Sequence, residues 1–83
     1  MSDYRVSRLT ARERELLRLA ARGATNEQIA AALGVKRMTV QSLFATVRFK
    51  MQARNRYHAT ALAVLLGLVT ESDLIVGDRP RDV

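Results

Sequence analysis

The chain has 83 residues, 48% hydrophobic and 27% charged, which suits one small folded domain and argues against wholesale disorder. It holds no cysteine and a single histidine, His58, excluding a disulfide framework, a Cys/His metal cluster and a cysteine nucleophile. The net charge of +6 is uneven: residues 1–58 carry twelve Lys or Arg against four acids, and residues 59–83 two against four. The basic part points to a polyanion, most simply nucleic acid, or to a solvated arginine-rich surface.

The opening "MSDYRVSRLTARERELL" is too charged for a secretory signal. The longest apolar run, Ala61 to Val69, falls well short of the roughly twenty residues a membrane-spanning helix needs. A soluble, cytoplasmic chain is expected. Helix start and stop signals then divide the sequence. In "LTARERELLRLAARG", Thr10 and Glu13 are spaced as a capping box, Leu16, Leu17 and Ala20 recur at helical spacing, and Gly23 can end the helix. That predicts a first helix over roughly 11–22. "TNEQIAAALG" repeats the pattern with Thr25 and Gln28 as the box, Ile29, Ala30 and Leu33 inside, and Gly34 as the stop. This second helix is about two turns long, so packing must hold it. A short turn leads to the next helix, and two helices so joined make a helix-turn-helix.

The third helix is expected over about 37–52. At about 100° per residue, Val40, Leu43, Phe44, Val47 and Met51 share one core stripe. Met38, Gln41, Ser42, Ala45, Thr46 and Phe49 lie opposite. Phe49 is then either exposed or covered by another chain. After the charged link "ARNR", residues 57–67 read as a fourth helix. Leu62, Leu65 and Leu66 gather on one side of it, while Ala59, Thr60, Ala63 and Val64 leave the other side nearly uncharged. A helix apolar all round needs a second partner. His58 reads as a surface or interface side chain. Beyond Gly67 come a short apolar stretch, Leu74 to Val76, and a polar tail expected to fray.

These stretches resemble the DNA-binding domain of LuxR/NarL-type (GerE-like) bacterial transcription regulators. The carriers are "LTARERELLRLAARGATNEQIAAALGV", "TVQ", the spacing of Val47, Lys50 and Met51, "RNR" and "ALAVLLGLV". The resemblance implies an all-α fold of four helices over residues 9–69, flanked by an N-terminal arm (1–8) and a C-terminal extension (70–83). It also implies major-groove reading by the third helix and homodimerisation through the fourth. With eight residues before the motif, the chain looks like a stand-alone form. Compared with the family's usual pattern, Lys36 stands where Ser or Thr caps the third helix, Gln41 where Lys is usual, and Leu43 where His is usual. Phe44 and Phe49 occupy positions often basic or polar, and Gln52 one where Gly is common. The reading face is therefore less basic than in most relatives.

The chemistry of a DNA site can be assigned residue by residue. Gln41 can bond bidentately to adenine, Ser42 to several bases, and Ala45 can touch a thymine methyl; these match the positions through which the family reads bases. Met38 and Thr46 flank them. Asn26 matches a family residue at the start of the second helix, where free amides and the helix dipole favour an anion. Lys36, Arg37 and Thr39 crowd the start of the third helix, and Arg48, Lys50, Arg54 and Arg56 can grip phosphates. For each of these a solvated surface residue is the plain alternative. The expected dimer contacts are Ala59, Thr60, Ala63, Val64 and Gly67. No enzyme and no cofactor site can be assembled, as there is no Gly-rich phosphate loop and no nucleophile with an evident base. Double-stranded DNA is the expected partner, with RNA polymerase or a sigma factor as a further one. The rival is a protein-interaction factor of the same fold, suggested by Leu43, Phe44 and Phe49.

Overall fold

A computed structural model describes residues 7–74 of the chain. Among them the regular elements are all helical: α1 (Ala11–Ala21), α2 (Asn26–Leu33), α3 (Arg37–Met51), α4 (Arg56–Leu65) and the single turn α5 (Glu71–Leu74). α1, α3 and α4 lie within a residue or two of the expected spans, and α2 has the expected two turns. Both capping boxes form. Thr10 N–H donates to Glu13 Oε1 at 2.8 Å while Glu13 N–H donates to Thr10 Oγ1 at 3.1 Å. Thr25 and Gln28 repeat the exchange at 2.8 and 3.1 Å. Each box satisfies two amides that a helix start otherwise leaves without partners. At the far end of α2, Gly34 turns left-handed at φ 69°, and α3 begins three residues later.

The core is built from Leu16 and Leu17 of α1, Ile29 of α2, and Val40, Val47 and Met51 of α3, all fully buried. Each such side chain contributes on the order of 1.5–3 kcal/mol on leaving water. Phe44 is buried beside them, and Leu43 is half-buried at the edge of the same cluster. The expected inner stripe of α3 is therefore the buried one. α3 ends at Gln52, a non-glycine residue held left-handed at φ 57°, with its N–H on the carbonyls of Arg48 and Phe49.

α4 differs from the sequence reading in which face it buries. Ala59 and Ala63 are 0% exposed and belong to the core, and Leu62 and Leu66 pack against it, partly buried. α4 packs against both α1 and α3, and small side chains at its buried centre let helices approach where leucine would hold them apart. Ala59 and Ala63 are thus unable to serve as dimer contacts without opening the domain. The outward face carries Tyr57, Ala61, Val64 and Leu65, the last 79% exposed. Of the expected interface, Val64 and Gly67 are exposed and Thr60 half-exposed.

Past Gly67 the chain folds back. Val69 is buried, and α5 rests on α1, where Arg18 Nε lies 3.8 Å from Asp73 Oδ2. Arg18 also meets Glu15, three residues earlier on the same helix, at 3.4 Å. Leu74 is exposed; Ile75, Val76 and the polar tail, like most of the N-terminal arm, lie outside the described residues. Among the described residues no helix is long and apolar enough to cross a membrane.

Candidate nucleic-acid interface

α3 stands with its inner stripe in the core and the rest of its surface in solvent. Met38, Thr39, Gln41, Ser42, Ala45, Thr46, Arg48 and Phe49 are all exposed. Of the side chains expected to meet bases, Thr46 has its hydroxyl donating back to Ser42 O at 3.1 Å. Gln41 and Ser42 make no side-chain bond among those resolved, which leaves their polar groups to the outside. Lys36 precedes the helix and gives it no side-chain cap. Thr39 N–H turns back to Lys36 O at 2.9 Å, so the amides of Arg37 and Met38 are the ones that can meet an anion, in keeping with the cation that replaces the usual hydroxyl.

The cations expected to hold phosphate fall into different situations. Lys36, Arg48 and Arg54 are exposed, and none has an ion-pair partner among the described residues. Arg37 reaches Glu27 Oε2 at 2.6 Å, and this guanidinium holds the Glu27 carboxyl below the ordinary carboxylate range. Both partners are exposed, so the pair is weak and a phosphate can displace Glu27. Arg56 is half-buried: it donates to Asn26 Oδ1 at 2.6 Å, and its guanidinium stacks 3.8 Å over the Phe44 ring. Those contacts bring the start of α4 to the start of α2, and Asn26 keeps its amide protons for an anion.

Lys50 departs from the expectation. Its ammonium lies 2.9 and 3.1 Å from the two oxygens of Glu13, whose side chain is 5% exposed against 20% for that of Lys50. Burial pushes the Glu13 carboxyl up, but the bonds from Lys50 and Thr10 and the Lys50 charge outweigh it and leave the pKa below 4.5. A cation so engaged ties α1 to α3, and its charge is already largely compensated by Glu13. Buried ion pairs lose heavily when one partner leaves, so exchange for a solvent-exposed anion is unfavourable.

Two roles escaped the sequence. His58 helps cap α4, with Arg54 N–H donating to its Nδ1 at 2.9 Å while Asn55 Oδ1 accepts from His58 N–H at 2.8 Å. Asn before a helix followed by a polar side chain three residues later is a legible cap signal. The exposed position of Leu65 could have been found by placing the alanines, and not the leucines, at the centre of the buried arc.

A shallow groove of about 660 Å³ runs between these elements, lined among others by Thr25, Asn26, Arg37, Gln41, Arg56 and Tyr57. It joins the start of α2 to the outer side of α3. A short capped helix, a tight glycine turn and a longer helix with one face open define a helix-turn-helix domain. Residues 7–63 match the GerE family, described as bacterial regulatory proteins of the luxR family, and the chain belongs to it. It is 40% identical over 63 residues to the HTH-type quorum sensing-dependent transcriptional regulator VjbR of Brucella ovis, covering 76% of this chain and 24% of that protein. It is 50% identical over 56 residues to the probable transcriptional regulatory protein SgaR of Hyphomicrobium methylovorum, covering 68% and 26%. With the transcriptional activator protein BjaR1 of Bradyrhizobium diazoefficiens it shares 39% over 63 residues, covering 76% and 26%. The chain thus spans about a quarter of the length of these relatives. No solved structure matches it. Its general class is DNA-binding transcription regulation.

Proposed function

We propose that the chain regulates transcription by binding specific duplex DNA, with α3 in the major groove. Gln41, Ser42 and Ala45 then face base edges, and Met38 and Thr46 flank them. Asn26, Lys36, Arg37, Thr39, Arg48, Arg54 and Arg56 hold the phosphates on either side. The carrying observation is the division of α3 itself: Val40, Phe44, Val47 and Met51 are buried, while the whole proposed reading surface is exposed. Two copies pair through the outer face of α4, using Thr60, Val64 and Gly67 together with Tyr57 and Leu65, so that two half-sites are read at once. The relatives' names as transcriptional regulators and activators support the regulatory role.

The test is selection of bound duplexes from a random pool, followed by titration at two salt concentrations. A DNA reader enriches one sequence and loses affinity steeply with salt. Gln41→Ala is then expected to relax preference at one position, at roughly 1–3 kcal/mol for the selected site. The second reading, a protein-interaction factor, is favoured by Met38 and Phe49, each 75% exposed. It predicts little binding to duplex DNA at either salt concentration.

A further inference from the structure

The side of α3 farthest from the core is not the polar one. At about 100° per residue, Met38, Ser42, Ala45 and Phe49 fall within about 60° of one another, opposite the buried stripe. All four are exposed. They form one ridge, large and apolar at both ends, small in the middle, and without charge along its length. At 1.5 Å per residue the ridge is about 16 Å long, the height of roughly five stacked base pairs.

We propose that this ridge reads thymine methyl groups, making the cognate half-site A·T-rich where α3 lies in the groove. The inference rests on the DNA-binding reading above and assigns Phe49 and Met38 as specificity determinants beside Ala45. In the major groove the thymine C5-methyl is the apolar feature of the base-pair edges, and alanine and phenylalanine side chains are natural contacts for it. The charge pattern favours a nucleic acid over a protein groove. α3 has no Asp or Glu on any face, Lys36 precedes it, and Arg48 stands exposed one residue from Phe49. Cations stand near the two ends of this apolar ridge, Lys36 just before Met38 and Arg48 beside Phe49, where they can meet the phosphates that border methyl-bearing bases. On the ridge itself only Ser42 carries a side-chain hydrogen-bonding group, and Gln41 stands toward one side of it, so the ridge's own discrimination is mainly apolar.

The ridge is tested by replacing thymidine with deoxyuridine, one position at a time, in a duplex selected from the random pool. This removes one methyl and keeps every hydrogen-bonding group of the base edge. The native chain is expected to lose about fourfold in affinity at two or more positions, the worth of a buried methyl. Phe49→Ala and Met38→Ala, both at exposed positions and checked for helicity by circular dichroism, should each bind the thymidine and deoxyuridine duplexes equally at one of those positions. That non-additivity identifies which side chain meets which methyl. Equal binding of the native chain to every deoxyuridine duplex, with sequence preference intact, overturns the methyl reading and leaves the proposed function standing. Discrimination that survives both substitutions at every position overturns the assignment to Met38 and Phe49. Absence of salt-sensitive duplex binding removes the proposed function, and the ridge with it, and turns the same surface toward a protein partner.

Discussion

Replacing Lys50 with methionine separates two roles for one side chain, an internal strut and a phosphate contact. Methionine keeps the aliphatic stem and removes the ammonium that lies 2.9 and 3.1 Å from the Glu13 oxygens. Hydrogen bonds to charged groups contribute about 1.5–3 kcal/mol, and removing one partner of a fully buried pair costs about 3–5 kcal/mol. Lys50 is partly exposed and Glu13 keeps its bond from Thr10 N–H, so the expected loss is about 2 kcal/mol. In a domain of this size that lowers Tm by roughly 8–16 °C.

The deficit should depend on pH. In the native chain the Glu13 pKa is held below the ordinary carboxylate value, so its ionised form contributes stability above that range, and the contribution is lost as pH falls through the lowered pKa. Without Lys50 the effect of burial gains weight and the carboxyl moves up, which makes the ionised form a burden at neutral pH. The gap between variant and native chain is therefore widest at pH 7 and narrows as pH falls through the ordinary carboxylate range and below it. Urea unfolding followed by circular dichroism at a series of pH values measures it. A variant within about 0.5 kcal/mol of the native chain at pH 7, with a salt slope for DNA binding reduced by about one, would refute the strut and restore Lys50 as a phosphate contact.

Gln52→Gly relieves a left-handed backbone that L side chains adopt reluctantly, and should stabilise the domain by about 0.5–1 kcal/mol in denaturant titrations. Leu65→Glu should leave helicity and Tm nearly unchanged while light scattering reports a monomer; a dimer that persists places the contact elsewhere. Ala63→Glu forces a carboxylate into the core and should unfold the domain, so its loss of DNA binding would carry no information on dimerisation. Thr25→Ala removes one half of the α2 cap and should cost about 1 kcal/mol by thermal unfolding.

The helices were legible because their signals are local. Thr10 with Glu13, and Thr25 with Gln28, lie three residues apart, and the bonds they imply need nothing from the rest of the chain. The inner stripe of α3 was equally plain, since Val40, Phe44, Val47 and Met51 are large and evenly spaced. α4 misled because its buried centre is made of Ala59 and Ala63. Side-chain size suggested an open surface there, whereas packing against α1 and α3 accommodates small residues at the buried centre. The candidate interface was legible in outline for a related reason: exposure follows from periodicity, but engagement does not. Charge alone could not tell Lys50 from Arg48, because the acid that occupies Lys50 lies 37 residues earlier in sequence.

Arg56 gives the surface a property beyond charge. Arginine normally surrenders much side-chain freedom when it grips an anion, on the order of 2 kcal/mol. Here the Phe44 ring and the Asn26 carbonyl already fix the guanidinium, so that loss is incurred when the chain folds. A phosphate arriving beside it meets a donor set in its final orientation, and grip at that point comes with little further immobilisation.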